Sequence, residues 1–243
     1  MRWGPPGPAV GPGRAEHAPE GTRSTRRAPE RQGPSAYAAS VPNGSFDVVL
    51  FDLGGVLIDV GGVEPMRALS GIASVDELWH RWLTCQWVQS FERGACPPED
   101  FAAGVVADWG LALTPEAYLA AFRGWTGAPF PGAPELVAET RRAVPVGCLS
   151  NTNSLHWEDD FAHWPMLAGF DHRFLSFQIG LVKPDPQLFA HVIDALGLPP
   201  ERVLFLDDNR LNVDAATAAG ICARRAQGVV EARSRLVELG VLD

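Results

Sequence analysis

The chain has 243 residues, 46% of them hydrophobic, with a mean hydropathy of −0.01, enough for one sizeable α/β domain carrying a smaller one. A net charge of −9 and a pI near 5.1 argue against nucleic acid or an anionic membrane surface as the partner. No apolar run reaches the length that a bilayer requires.

Residues 1–44 are a Gly, Pro, Ala and Arg run with almost no large apolar side chain. Such a segment cannot bury enough surface to offset its ordering entropy, so a disordered tail is expected there. Its six arginines (Arg2, Arg14, Arg23, Arg26, Arg27 and Arg31) are followed by no apolar stretch, so no secretory leader is expected. The four cysteines, Cys85, Cys96, Cys148 and Cys222, show neither a CxxC pair nor a zinc spacing. Free thiols in a reducing, cytoplasmic setting are the simplest expectation.

The folded part opens with the run Phe46–Phe51, read as a buried strand that delivers Asp52 to a turn at Gly54 and Gly55. From 61 to 130 the pattern becomes helical and rich in Trp, Phe and Tyr, with Leu78, Trp82 and Leu83 on one predicted stripe. Thr114-Pro115-Glu116 reads as a helix N-cap with Pro at the first position. This stretch is expected to be a small helical module whose aromatics form its own core.

A helix over Pro134–Ala143 leads to a strand at Val146–Leu149 that ends in Ser150 and Asn151. Phe174–Ser176 is a weaker strand. Lys183-Pro184-Asp185-Pro186 opens a helix stopped by Gly197, and Val203–Leu206 is a buried strand ending in Asp207 and Asp208. A short helix to Gly220 and a strand at Ile221–Ala223 follow. Strands alternating with helices predict a parallel, doubly wound sheet with helices on both faces.

In such a sheet the strand ends of one sense share one edge, so Asp52, Ser150, Asn151, Asp207 and Asp208 are expected to converge. Lys183, the single lysine among 20 basic residues, can join them from a helix start. Carboxylates beside hydroxyl, amide and ammonium donors describe a Mg²⁺ and phosphate site, since Mg²⁺ takes oxygen ligands and keeps waters and a substrate phosphate. His156 and His163, in an aromatic loop, are expected to be packed or solvated rather than metal ligands.

With these pieces in hand, the chain resembles the haloacid dehalogenase (HAD) superfamily, its phosphatase branch in particular. FDLGGVL at 51–57, LSNTN at 149–153, KPDP at 183–186 and FLDDN at 205–209 stand in that family's order and spacing. The resemblance implies a Rossmann-like core at 45–60 and 131–243, with a helical cap at 61–130. It implies Asp52 as the nucleophile that forms an aspartyl-phosphate with a small phosphorylated metabolite. Ser150 and Asn151 would hold phosphoryl oxygens, and Lys183 would neutralise charge on Asp52 and the phosphate. Mg²⁺ would be bound by Asp52, the Gly54 carbonyl and Asp208, with Asp207 assisting or standing behind. Asn212 would reach the metal through water.

One position departs from the pattern. Most family phosphatases carry a second Asp two residues after the nucleophile as general acid and base, and here that position is Gly54. A positioned general acid is worth ~10²–10⁴-fold, so a preference for good leaving groups, such as anomeric sugar, acyl or aryl phosphates, is expected unless another carboxylate or a metal-bound water supplies the proton. A metal-independent 2-haloacid dehalogenase would share Asp52, Ser150, Asn151 and Lys183 without needing Asp207 and Asp208. A HAD-fold binding protein would have no use for the nucleophile.

Overall fold

The computed structural model describes residues 46–243; the segment expected to be disordered lies outside the described residues. The element order is β1 (Val48–Phe51), α1 (Val63–Ser70), α2 (Val75–Thr84), α3 (Gln86–Glu92), α4 (Pro98–Trp109), α5 (Pro115–Arg123), α6 (Ala133–Ala143) and β2 (Val146–Ser150). It continues with α7 (Ser154–Asp159), α8 (Pro165–Ala168), β3 (His172–Leu175), α9 (Ser176–Ile179), α10 (Pro186–Leu196), β4 (Val203–Asp207), α11 (Arg210–Ala218), β5 (Cys222–Arg225) and α12 (Gly228–Glu238).

The five strands form one parallel sheet in the order β3-β2-β1-β4-β5. β1 is central, with Val49 opposite both Val146 and Leu204. All four of its residues are fully buried, which is why it reads as an unbroken apolar run rather than an alternating one. The period of two survives in where the side chains go. Val49 and Phe51 pack with Leu136, Leu167 and Leu236 from α6, α8 and α12 on one face. Val48 and Leu50 pack with Phe189, Val192 and Ala216 from α10 and α11 on the other. The chain leaves β1 toward β2 on one side and returns to β4 on the other, so the order reverses between β1 and β4. The carboxyl edge beside such a switch point is where open α/β sheets bind ligands.

Helices α1–α5 are inserted after β1 and have a core of their own, centred on Phe91, Phe101, Tyr118 and Phe122. Phe91 and Phe101 stack at 4.4 Å, and Phe101 meets Phe122 at 4.9 Å. Thr114 caps α5 by accepting the Ala117 N–H, as its N-cap pattern predicts. Leu83 departs from its predicted stripe: it is exposed, while Leu78 is buried and Trp82 half-buried. Val88 and Phe91 on the next helix are buried in this core.

Two other boundaries differ from expectation. Ser176 starts α9 rather than ending a strand, because its hydroxyl is committed to the loop after β2. Ile221 precedes β5, which runs on through Arg224 and Arg225 because both pair with β4.

Candidate active site

Asp52 follows β1 directly and stays in the ladder through its N–H, which donates to Leu206 O at 2.8 Å. Its Oδ1 accepts the Leu53 N–H at 2.7 Å and faces Lys183 Nζ at 2.9 Å. The same ammonium donates to Asp207 Oδ2 at 2.7 Å. Lys183 therefore sits between the ends of β1 and β4, with its side chain 2% exposed. Burial alone would lower its pKa, but Asp207 and Asp52 outweigh that and raise it, so the group remains an ammonium.

Asp207 is fully buried and heavily bonded. Asn212 Nδ2 donates to both of its oxygens at 3.0 Å, and the Asn209 N–H donates to Oδ1 at 2.8 Å. Asn212, expected to reach a metal through water, uses its amide nitrogen to hold Asp207. Asp208 is less buried. Its carboxylate lies against Gly55, where a Cβ would overlap the carboxylate carbon and one of its oxygens and where φ is +76°. Only glycine fits that approach without strain. The Gly55 carbonyl accepts from the Gly228 N–H, and the Asp208 carbonyl from Arg225 Nε, both at 2.8 Å. These bonds tie the turns after β1 and β4 to the end of β5 and the segment that follows it.

Gly54 lies in a tight bridge made by the Gly55 N–H to Ile58 O and the Ile58 N–H to Leu53 O, both 2.8 Å. Neither bond uses the Gly54 carbonyl. Oxygens of Asp52, Asp207 and Asp208 lie within 4.8 Å of one another. Three carboxylates face one ammonium there, an excess of negative charge in a buried place. Desolvation accordingly pushes Asp52 up to about 7 despite the pull of Lys183, with Asp207 adding to the rise. Desolvation and then Asp207 also raise Asp208. A bound cation would reverse both shifts, and an all-oxygen donor set suits a hard divalent ion.

Ser150 ends β2 and is buried, and its hydroxyl makes only a 3.5 Å approach to the Asn151 carbonyl. Asn151 is tied to the lysine loop. Its Oδ1 accepts the Lys183 N–H at 2.8 Å and its Nδ2 donates to the Lys183 carbonyl at 3.1 Å. The side chain positions the lysine loop, and the second hydrogen of its Nδ2 is not used by these two bonds.

Sequence reasoning missed Ser176. Its hydroxyl accepts the Thr152 N–H and donates to the Thr152 carbonyl, both at 2.9 Å, bracing the loop beyond β2. Nothing local in the sequence announces a bond between positions so far apart. His156 is packed, but on helix α7 rather than in a loop: its ring stacks on Phe122 at 4.2 Å and Nε2 meets the Phe122 carbonyl at 2.8 Å. His163 lies in a short 3-10 turn. All four cysteines are free thiols. Among the described residues no helix is long and apolar enough to cross a membrane.

Comparison with known proteins agrees with this geometry. The haloacid dehalogenase-like hydrolase family matches residues 46–220. A D-ribitol-5-phosphate phosphatase of Bacteroides thetaiotaomicron is 27% identical over 68% of this chain and 84% of its own length. An (S)-2-haloacid dehalogenase of Pseudomonas fluorescens is 26% identical over 70% of this chain and 80% of its own. Among solved structures, an aspartate-to-alanine variant of a HAD family enzyme from B. thetaiotaomicron, crystallised with magnesium and inorganic phosphate, superposes with a TM-score of 0.58 at 25% identity, covering 75% of this chain and 94% of that one. The parallel five-stranded order, the helical insert after β1 and the family match together make this chain a member of the haloacid dehalogenase-like hydrolases.

Proposed function

We propose that this hydrolase is a Mg²⁺-dependent phosphatase of a small phosphomonoester, a sugar or polyol phosphate, working through an aspartyl-phosphate in the cytoplasm. The observation that carries the reading is the charge balance at the sheet edge. Among the described residues, Asp52, Asp207 and Asp208 outnumber the buried Lys183 and the exposed Arg225 that acts on Asp208, an imbalance that a divalent cation and a phosphate dianion would fill together. A dehalogenase working without metal has no use for the extra carboxylate. The phosphatase relative supports the substrate class, and the magnesium and phosphate in the structural relative support the cofactor. Four free cysteines fit a reducing compartment.

In this reading Asp52 and Asp208, with the Gly54 carbonyl, would hold Mg²⁺, while Asp207 is engaged in holding Lys183. The ion would supply charge neutralisation, letting an anionic carboxylate approach an anionic phosphorus. Lys183 orients Asp52 and offsets charge on the phosphoryl group. The Ser150 hydroxyl is available to donate to a phosphoryl oxygen. Asp52 attacks phosphorus and expels the alcohol, and water then hydrolyses the acyl phosphate and restores the carboxylate. Helices α1–α5, as a cap over 61–130, would set the substrate.

The test is phosphate release from p-nitrophenyl phosphate with Mg²⁺, with EDTA, and in Asp52→Asn. Loss in both controls is expected. Metal-independent chloride release from 2-chloropropionate, with no phosphate release, would instead make the protein a dehalogenase.

A further inference from the structure

The segment that follows β5 closes a ring around the turn that carries Asp208. Arg225 ends β5 opposite Asp207, and its Nε donates to the Asp208 carbonyl at 2.8 Å. Its Nη2 donates to Gln227 Oε1 at 3.3 Å. One residue further on, the Gly228 N–H donates to the Gly55 carbonyl at 2.8 Å. Gly55 is the residue against which the Asp208 carboxylate is pressed. The path from Asp208 through Arg225, Gln227, Gly228 and Gly55 thus returns to Asp208 by hydrogen bonds and one tight packing contact.

The ring is itself anchored. Between Arg225 and Gln227, the buried Ala226 gives its N–H to the Asp207 carbonyl at 3.1 Å. The Gln227 N–H goes to Glu231 Oε2 in the first turn of α12 at 2.9 Å, and Arg235 Nε reaches the Arg225 carbonyl at 3.3 Å. Arg225 and Gln227 are exposed, so neither side chain serves the core. What the Arg225 guanidinium holds is the main chain of Asp208. Its planar fork sets the Nε and Nη2 donors at a fixed angle, so the carbonyl of Asp208 and the amide of Gln227 are placed relative to each other.

We propose that Arg225 is a positioning residue for the Asp208 carboxylate, and that the clasp it completes over 225–228 makes the site prefer Mg²⁺ to Ca²⁺. The inference rests on the phosphatase reading, in which Asp208 is a metal ligand. Mg²⁺ demands near-ideal octahedral geometry, whereas Ca²⁺ accepts flexible ligand sets of variable number. A carboxylate fixed at its carbonyl by Arg225 and at its oxygens by Gly55 meets the stricter demand. A carboxylate free to shift serves Ca²⁺ nearly as well and Mg²⁺ poorly. Groups that orient a ligand from behind are worth ~10–100-fold in metal affinity, and Arg225 stands in that place.

The test needs no turnover: calorimetric titration of the metal-free full chain with MgCl₂ and with CaCl₂. In Arg225→Ala the ratio of the Ca²⁺ to the Mg²⁺ dissociation constant is expected to fall ~10-fold or more. The ratio is the readout because removing a positive charge near the site favours both divalent ions alike and cancels. Gln227→Ala keeps that charge and frees the guanidinium, so the ratio should fall in the same direction by less. Urea midpoints of both metal-free variants should stay near wild type, since both side chains are exposed. An unchanged ratio in Arg225→Ala, or equal weakening of both ions, overturns the proposal. Asp208→Asn separates the two levels. If it binds Mg²⁺ as the wild type does, Asp208 is no ligand, and the metal reading fails together with the proposal. If it loses Mg²⁺ while Arg225→Ala keeps the wild-type ratio, the proposal alone fails.

Discussion

The Asn151 side-chain amide grips the main chain of Lys183 from both sides, accepting from its N–H at 2.8 Å and donating to its carbonyl at 3.1 Å. The end of β2 thereby determines where the ammonium between β1 and β4 stands. Asn151→Leu keeps the volume and removes both bonds. The expected cost is about 1–3 kcal/mol of stability from buried polar groups left unpaired. A fall in kcat of ~10²-fold is expected as Lys183 drifts from Asp52. Urea unfolding and steady-state kinetics measure the two, and an unchanged kcat would show that the lysine holds its place unaided.

Asp207 is the second support of that lysine, and its removal leaves a buried ammonium with Asp52 alone. Asp207→Ala also strips the Asn212 amide of both acceptors. Breaking a buried pair from one side costs about 3–5 kcal/mol, so a large drop in denaturation midpoint is expected. Asp207→Asn, which keeps the shape and an acceptor, should cost less. If the two variants unfold alike, the charge matters and the hydrogen-bond frame does not.

The parts of this molecule that sequence makes legible are those where local chemistry and position coincide. β1, β2 and β4 read as strands because parallel strands buried on both faces are continuous apolar runs. Asp52, Asp207 and Asp208 read as a site because each immediately follows or ends such a run. Helix α12 escaped notice because only Ala232 and Leu236 of its residues are buried, too thin an apolar stripe to stand out. The bonds of Asn151 to the lysine loop and of Asn212 to Asp207 were not legible in the sequence, since an amide's partners depend on which distant groups the fold brings beside it.

Gly55 permits the closest approach in the site. Gly55→Ala forces a side chain into φ +76° and into the space of the Asp208 carboxylate. The backbone strain costs about 1–3 kcal/mol, and the displaced carboxylate is expected to weaken Mg²⁺ binding more than it weakens the fold. Calorimetric titration of Mg²⁺ beside urea unfolding separates these effects. Wild-type Mg²⁺ affinity in the variant would remove Asp208 from the ligand set.

His156 joins the insert to the segment after β2, and its protonation state is written into its bonds. The Asn153 Oδ1 accepts the His156 N–H at 3.0 Å, which turns the Asn153 Nδ2 toward ring Nδ1 at 3.3 Å. Nδ1 therefore accepts and Nε2 donates to the Phe122 carbonyl, the pattern of a neutral imidazole. A proton on Nδ1 would face an amide N–H. Desolvation lowers the folded pKa, outweighing the Phe122 carbonyl and the Asp160 and Asp159 carboxylates, while Arg123 adds to the fall. The sign follows from which state binds the proton first. The unfolded chain protonates near ~6.5 while the folded one does not, so this contribution is complete above that pH and is lost as pH falls toward the depressed folded value. His156→Phe keeps a ring against Phe122 and cannot titrate. Its unfolding free energy should be lower than wild type at neutral pH, with the gap narrowing as the medium is acidified. A gap that stays constant from neutral to mildly acid pH would mean that the histidine serves as packing alone.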